Sequence, residues 1–122
     1  MKIFDCTIFL DENMMFEVRL NTLDKYVDKF VVVESLYTHA GNKKKQNFDI
    51  NKYKKFKDKI IYILLDKEPE NLLPILTDGI ENLSNKRINT LKRIRLQYNA
   101  LSEGIINGGD NDLVIVSDID EI

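Results

Sequence analysis

The segment KFVVVE, residues Lys29 to Glu34, decides the fold class of this chain. Its apolar residues form a continuous run rather than alternating with polar ones, and most of them are β-branched valines. Such a run is typical of a strand that is covered on both faces, as the strands of parallel sheets are. Parallel strands need long crossover connections, which are usually helices. The segment therefore predicts an α/β domain, and we expect helices on either side of it.

The flanking segments show this alternation. Toward the amino end, Ile3–Leu10 reads as a first strand, and Asp11-Glu12-Asn13 supplies polar side chains that can cap a helix running to about Tyr26. Toward the carboxyl end we first predict a loop over 36–50 with a turn at Gly41-Asn42, followed by a short basic helix over Ile50–Lys57. A strand over Lys59–Leu65, a long helix and a strand over Asp112–Ser117 are predicted after it. This order indicates a mostly parallel, Rossmann-like sheet with flanking helices.

The long helix is predicted from apolar residues that recur every three or four positions from about Ser84 onward. This spacing places their side chains on one stripe, which we expect to pack in the core. The stripe consists of Ile88, Leu91, Ile94, Tyr98, Leu101 and Ile105. Gly108-Gly109 is the predicted stop of the helix. Part of the stripe, or the edge beside the last strand, is expected to be exposed and to pair with a second chain or another copy of this one.

Length and composition limit the class of protein. The 122 residues suit a single domain over 1–122, and 43% apolar with 31% charged residues indicates a globular fold. A net charge of −2 gives no general attraction to nucleic acid or to an anionic membrane. No segment has the roughly 20 apolar residues that span a bilayer, and the start does not resemble a signal peptide. We therefore expect a soluble, cytoplasmic protein, in which the single cysteine, Cys6, is a buried and unreactive thiol.

Acidic residues follow three of the predicted strands. Asp11 and Glu12 follow the first, Glu34 ends the second, and Asp118 and Asp120 follow the fourth. Ligands of such sheets bind beyond the carboxyl ends of the strands. If the strand period of two continues past the fourth strand, the two aspartates point the same way. Two carboxylates held together repel each other unless a cation lies between them.

A divalent cation would relieve this repulsion. Mg²⁺ and Mn²⁺ prefer oxygen ligands and are often held by one or two carboxylates, with water and substrate phosphates completing the coordination. An apolar strand followed by Asp-x-Asp is thus the minimal protein part of a metal–diphosphate site. A pair of solvated acids at a strand exit explains the same triplet, and the pattern alone leaves both interpretations open.

Four stretches of the chain resemble glycosyltransferase family 17. They are residues 3–35, which begin IFDC and end VVVES, the segment THAG at 38–41 with Lys44 and Phe48, KIIYILLD at 59–66, and DNDLVIVSDIDEI at 110–122. Four matches in the same order are far more specific than the Asp-x-Asp triplet. This family includes the β-1,4-N-acetylglucosaminyltransferase that adds the bisecting residue to N-glycans.

The resemblance implies an inverting transferase with a GT-A-like fold, a UDP-sugar donor such as UDP-N-acetylglucosamine, a glycan acceptor, and Mn²⁺ or Mg²⁺. By position it implies that Asp118 and Asp120 hold the metal and the donor diphosphate, and that Glu121 supports them. The other positions implied are Glu34 and Ser35 at the nucleotide, Gly41 and Lys44 in the loop, and the helix pair Glu17 and Arg19. The strand-end acids Asp11 and Glu12 complete the expected donor-binding set.

Two departures from the family pattern affect these expectations. The loop reads Ala40-Gly41-Asn42-Lys43-Lys44 where relatives usually have Ser-Gly-Lys-Pro-Lys. In the long helix, relatives often carry Glu and Arg at the positions of Ile94 and Tyr98. We expect Arg95 or Arg93 to replace that arginine, the alternative being that the contact is lost.

The resemblance also bears on the extent of the site. Relatives continue well past the acidic motif, and an inverting transfer needs a base within hydrogen-bond reach of the acceptor hydroxyl. We find no convincing base before Ile122, so we expect a donor-binding part, truncated after the Asp-x-Asp strand, whose base lies beyond that residue. A non-catalytic interaction module that needs a partner chain is the main alternative. A phosphatase of the haloacid dehalogenase type fits less well, because it carries Asp-x-Asp on its first strand. His39, the single histidine, is expected to be a surface side chain.

Overall fold

The computed structural model describes residues 1–75 and 79–122, and its elements follow the predicted alternation. The strands are β1 (Ile3–Phe9), β2 (Lys29–Ser35), β3 (Ile60–Leu65) and β4 (Leu113–Val116), and the helices are α1 (Asn13–Leu23), a 3-10 helix (Ile50–Lys59) and α2 (Ile80–Gly104). The strands begin and end within one residue of the predicted positions. The predicted boundaries of the long helix were wrong, because it begins at Ile80 and ends at Gly104, ahead of Gly108-Gly109.

The four strands form one parallel sheet in the order β3-β2-β1-β4. The chain first adds strands on one side of β1 and then returns to place β4 on the other side. Because crossover connections of this kind are right-handed, the reversal puts α1 and α2 on opposite faces of the sheet. It also creates a topological switch point between β1 and β4, which is where open α/β sheets bind ligands. The predicted α/β class with a Rossmann-like parallel sheet is confirmed.

The sheet separates two apolar layers. The layer on the α1 side contains Phe9, Phe16, Leu20, Val27, Phe30, Val32, Phe48, Tyr53, Phe56 and Ile119. The layer on the α2 side contains Phe4, Cys6, Val31, Val33, Ala100 and Leu101. Successive residues of β2 thus face opposite layers, which explains why its central run, Phe30 to Val33, is apolar without interruption. Cys6 is buried as predicted, and this burial, with a smaller contribution from the Asp5 carboxylate, raises the pKa of its thiol to about 11.

β4 is less buried than its continuous apolar run indicates, and it lies at the exposed edge that we expected beside the last strand. Its four residues, Leu113–Val116, are each 38% to 51% exposed. The reason is its position at the edge of the sheet, where it pairs with β1 alone among the strands of the described residues. An apolar strand at an open edge is unusual, because edge strands normally carry charges or are covered.

α2 contacts the sheet with a different stripe from the predicted one. Leu101 is buried, but Ile88, Leu91 and Tyr98 are exposed. Among the residues of α2 whose burial is described, the buried ones are Asn89, Gln97, Ala100, Leu101 and Gly104. A Cβ at Gly104 would collide with the side chain of Val31, so glycine allows the end of α2 to approach β2. Although α2 has 25 residues, neither it nor any other helix within residues 1–75 and 79–122 has the apolar character needed to cross a membrane.

Candidate functional site

A cleft of about 860 Å³ lies at the carboxyl ends of β1 and β4. Its walls come from the ends of β1 and β2, the loop after β2, the middle of α2 and the turn after β4. The volume falls within the range of small-molecule sites in proteins. The cleft therefore occupies the switch point of the sheet, the position at which the topology leads us to expect a ligand.

Asp118 and Asp120 lie in a turn rather than on a continuation of β4. The strand ends at Val116, and the amide of Glu121 donates to the carbonyl of Asp118 at 3.0 Å. The strand period of two therefore does not continue past the fourth strand. Both aspartates are nevertheless exposed and line the cleft. Ile119 between them is buried in the α1 layer and anchors the turn.

Residues 117–121 are called the acidic turn below. One side-chain hydrogen bond closes this turn, and one tyrosine of α2 contacts it. The Oε1 atom of Glu121 accepts a hydrogen bond from the amide of Asp118 at 2.9 Å, so this carboxylate closes the turn. The hydroxyl of Tyr98 lies 3.5 Å from Oδ1 of Asp118. Burial and then the nearby Asp118 carboxylate raise the pKa of Tyr98. A phenol is protonated at neutral pH even at its ordinary pKa, and this shift favours the protonated form further, so a proton is available to donate.

Arg19 of α1 is buried beneath the acidic turn, with 1% of its surface exposed. Its Nε and Nη2 atoms form a bidentate ion pair with Asp5 of β1, at 2.7 and 2.6 Å. Nη2 also donates to Oγ of Ser117 at 2.6 Å. Nη1 lies 2.8 to 3.2 Å from the backbone carbonyl oxygens of Asp118, Ile119 and Glu121. A guanidinium has five N–H donors, and these contacts engage all of them. This position differs from the predicted donor contact, because it leaves Arg19 no N–H for a ligand.

Glu34, at the end of β2, is fully buried, and its carboxylate accepts four hydrogen bonds. The donors are Nζ of Lys44, the amides of Asn47 and Phe48, and the hydroxyl of Tyr62, at 2.7 to 3.1 Å. Burial by itself would raise the pKa of this carboxyl, but the hydrogen bonds, led by that of Lys44, together hold it below its usual range. Glu34 thus holds the loop after β2, and it is not among the residues that line the cleft.

The loop after β2 is tied to the rest of the cleft by a second contact. The side-chain amide of Asn47 donates to the carbonyl of Leu10, just after β1, at 2.8 Å. Together with the Lys44–Glu34 ion pair at 2.7 Å, this bond connects the loop to the ends of two neighbouring strands. The wall that carries Lys44 therefore has a defined position relative to the sheet.

Arg93 of α2 supports the other part of the same loop. It donates to the backbone carbonyl of His39 at 3.1 Å and pairs with Glu68 at 3.0 Å. Gly41 has a φ of 91°, and a Cβ there would collide with the Arg93 guanidinium. Both the left-handed conformation and the close approach favour glycine at this position. Arg95, which we expected as a replacement for the arginine of relatives, is exposed and outside the cleft lining, whereas Arg93 contacts the loop.

The cleft brings together five of the twelve predicted site residues, namely Glu12, Ser35, Lys44, Asp118 and Asp120. The seven outside its lining are Asp11, Glu17, Arg19, Glu34, Gly41, Arg95 and Glu121. Asp11 and Glu17 are exposed, like Arg95. The segment Asp11-Glu12-Asn13 was expected to cap α1, but Glu12 at the N-cap position makes no capping bond, and its Oε2 atom instead accepts hydrogen bonds from the amides of Leu10 and Asp11. That prediction of a helix cap was therefore wrong.

Three residues at or beneath the cleft were not found from the sequence. Asp5 interrupts an apolar strand, and a buried charge needs a partner, so this interruption was the available signal for the Asp5–Arg19 pair. His39 is exposed, as expected, yet it lines the cleft. Tyr98 was assigned to the core stripe, and it lines the cleft because the buried stripe of α2 is rotated from the predicted one.

The acidic turn has the donor chemistry of a hard cation held by few protein ligands. Across residues 1–75 and 79–122, no three His, Cys, Asp or Glu side chains converge in the manner of a metal cluster. A structural zinc site, which uses four protein ligands, therefore does not fit this part of the chain. Two carboxylates, with water and phosphate oxygens in the remaining positions, do fit Mg²⁺ or Mn²⁺. Asp118 and Asp120 would hold such an ion.

Comparison with known proteins gives one match. No curated protein and no solved structure matches the chain significantly. The family model described as glycosyltransferase family 17 matches residues 1–122. The match covers the four stretches on which the resemblance rested and the segments between them. The chain therefore belongs to glycosyltransferase family 17, a family of transferases that act on glycosyl groups.

Proposed function

We propose that this chain is the donor-binding domain of a metal-dependent glycosyltransferase. The donor would be a UDP-sugar, with N-acetylglucosamine as the sugar, and transfer to a glycan acceptor would proceed with inversion. The observation that carries the proposal is the acidic turn, whose two exposed aspartates line a cleft at the switch point of the sheet. The donor sugar and the inversion rest on the resemblance to the best-known branch of the family.

In this proposal Asp118 and Asp120 hold Mn²⁺ or Mg²⁺ together with the donor diphosphate. The cation, when bound, neutralises the negative charge that develops on the leaving diphosphate. Lys44 lies in the cleft wall, where its ion pair with Glu34 matches its charge and fixes the position of its ammonium group. An N–H group that is already oriented can donate to a phosphate oxygen without the cost of reorganising it during the reaction.

The rest of the cleft suits the organic part of the donor. Apolar side chains from β1, α1 and α2 contribute to its lining, namely Phe9, Met15, Ile94 and Tyr98. A pyrimidine ring and the apolar face of a sugar can pack against such surfaces, and a small number of polar groups then set the orientation. Ser35, at the end of β2, is a buried polar group in this lining, with 7% of its surface exposed, and its hydroxyl would contact the ribose or the base.

The proposal is tested by thermal unfolding with UDP and Mn²⁺. A ligand at about 100 times its dissociation constant stabilises the folded state by about 2.7 kcal/mol, which is roughly 10 °C for a domain of this size. We expect this shift with UDP plus Mn²⁺, and a much smaller one with UDP and EDTA. We expect Asp120→Asn to unfold at the wild-type temperature without ligand, because Asp120 is exposed, and to lose the shift.

Glu103→Gln is the matched control for Asp120→Asn. Glu103 is an exposed acid on α2 outside the cleft lining, so its variant should keep the full shift. No stabilisation of the wild type by UDP with Mn²⁺ or Mg²⁺ would contradict the proposal. So would an equal shift in Asp120→Asn, because the ligand would then bind elsewhere.

A second candidate is a donor-binding or interaction module that works only with a partner chain. It is favoured by the exposed apolar surface of β4 and of Ile88 and Leu91 on α2, since such surfaces often mark interfaces. Incubation of the isolated chain with UDP-N-acetylglucosamine, Mn²⁺ and glycan acceptors distinguishes the two. Transfer of the sugar by the isolated chain would exclude the second candidate, whereas binding without transfer would favour it.

A further inference from the structure

We propose that Arg19 is a positioning residue that holds the acidic turn in the shape required for metal and diphosphate binding, with Asp5 as its counterion. The effect on metal and diphosphate binding rests on the proposed function. The contacts by which Arg19 holds the turn do not depend on any ligand. The proposal assigns Arg19 to the protein side of the turn, opposite to the exposed carboxylates of Asp118 and Asp120.

The acidic turn has little support of its own. It follows a strand of four exposed residues at the edge of the sheet. Within the turn, one backbone bond joins Glu121 to Asp118, and one side-chain bond joins the same residues in the other direction. Isolated turns of this kind are marginal in water, because each ordered residue costs about 1–2 kcal/mol of backbone entropy. The shape of the turn must therefore depend on contacts from elsewhere in the fold.

Arg19 supplies most of these contacts from a single side chain. It joins one side-chain oxygen and three backbone carbonyls of the turn, at 2.6 to 3.2 Å, on the face that points into the protein. Because a guanidinium is planar and its five donors are fixed in direction, these contacts set the orientation of successive peptide groups. With the carbonyls directed inward and Ile119 buried, the side chains of Asp118 and Asp120 are left on the cleft side.

The positive charge of Arg19 is paired with a buried carboxylate. It therefore does not draw the carboxylates of the turn inward. Asp5 pairs with Arg19 through two bonds, and both side chains are 1% exposed. A buried ion pair is weak evidence for stability, because desolvation opposes the attraction between the charges. It is good evidence for geometry, because the carboxylate fixes the plane of the guanidinium. The residues that orient metal ligands from behind typically change metal affinity by 10–100-fold when they are mutated.

The test uses Arg19→Lys and Ser117→Ala in the full chain, with Arg87→Lys as the control. Lysine keeps the positive charge for Asp5 but cannot span the carboxylate and the turn together. Ser117→Ala removes one contact and leaves the ion pair intact, so it remains informative if Arg19→Lys does not fold. Arg87 is an exposed arginine of α2, and its variant should behave as the wild type in both measurements.

The first measurement is the NMR backbone order parameter of residues 118–121 without ligand. We expect rigid values of about 0.85 in the wild type and values below about 0.6 in Arg19→Lys, while the other residues of β1 and α1 stay rigid. Ser117→Ala should show a smaller decrease in the same residues. Wild-type order parameters in a folded Arg19→Lys variant would overturn the inference, as would wild-type values in Ser117→Ala where Arg19→Lys does not fold.

The second measurement is the affinity for Mn²⁺ with UDP, by calorimetry well below the unfolding temperature, where a lower stability alone does not reduce binding. We expect a 10–100-fold loss in Arg19→Lys and a loss of a few-fold in Ser117→Ala. Wild-type affinity in a folded Arg19→Lys variant would overturn the positioning role. Absence of binding in the wild type would overturn the proposed function instead, and the order parameters would still decide whether Arg19 holds the turn.

Discussion

Two strand ends of this sheet are followed by acidic side chains in opposite environments. The acid at the end of β2 is buried, and those after β4 are exposed. At the end of β2, Glu34 is 0% exposed and accepts four hydrogen bonds. After β4, Asp118 and Asp120 are exposed to the cleft, and the hydroxyl of Tyr98 lies 3.5 Å from the Asp118 carboxylate. The same kind of side chain at the same edge of a sheet thus has two different roles.

The difference lies in what satisfies each carboxylate. An ionised carboxyl group accepts about four hydrogen bonds, and the protein provides all of them at Glu34. The Glu34 carboxylate thus binds groups of the loop after β2 and holds that loop in place. At the acidic turn, the protein binds the backbone carbonyls through Arg19 and leaves the carboxylates to the cleft. Glu34 should therefore affect stability, whereas Asp118 and Asp120 should affect ligand binding.

The largest expected effect is that of Glu34→Gln on stability. Glutamine keeps the shape but directs an amide NH₂ toward groups that are themselves donors, and it leaves the Lys44 ammonium without its partner. Breaking a buried charge pair in this way costs about 3 kcal/mol, or roughly 10 °C in Tm. Urea and thermal unfolding measure it, with exposed Glu103→Gln as the control. A loss below about 1 kcal/mol would mean that the hydrogen bonds of Glu34 are not what holds the loop.

The free energy of unfolding should depend on pH through the ionisation of Glu34. The folded-state pKa of Glu34 lies below its ordinary value of 4.5. Its contribution is therefore fully present above about pH 5 and is lost as the pH falls through the folded-state pKa. We expect the difference in unfolding free energy between the wild type and Glu34→Gln to be constant from pH 7 to about pH 5 and to narrow below it. A difference that widens at low pH would contradict the assignment.

A smaller effect is expected for Tyr62→Phe. The Tyr62 hydroxyl donates to Glu34 at 2.7 Å, and burial followed by this bond raises the pKa of the phenol, which keeps its proton in place. Loss of a hydrogen bond to a charged group costs about 1.5 kcal/mol. Tyr26→Phe is the matched control, because Tyr26 is 60% exposed. Equal stabilities of the two variants would show that three donors are enough for Glu34.

The contrast between the two strand ends could be predicted only in part from the sequence. Continuous apolar runs gave the strands, their order along the chain and the α/β class, because a strand buried on both faces has no polar positions to spare. They failed at β4, whose apolar residues have the same pattern but lie at the sheet edge. The sequence pattern predicts that a segment is an apolar strand. It does not predict how far the segment is buried, because burial depends on which elements pack beside it in the fold.

The candidate site shows the same limit for charged residues. The acids follow the ends of β1, β2 and β4 as the sequence indicates, but nothing in the local sequence separates Glu34, which lies outside the cleft lining, from Asp118, which lies within it. The separation depends on contacts across the fold, such as that of Arg19 with a turn about 100 positions away. Asp5 was the one local signal for this arrangement, since a charge within a buried strand needs a partner.

The smallest expected effect is that of Tyr98→Phe, and it tests the contrast most directly. At 3.5 Å, the Tyr98–Asp118 contact is at the limit of a hydrogen bond, and Tyr98 is 41% exposed. Removal of the hydroxyl should change the unfolding free energy by less than about 0.5 kcal/mol, as is usual for surface substitutions. The comparison with Tyr62→Phe, by urea unfolding under the same conditions, removes the same atom beside an acid in each case. A loss as large as that of Tyr62→Phe would mean that Asp118 is held by the protein in the way that Glu34 is. The acidic turn would then be a structural feature, and the two strand ends would not differ in kind.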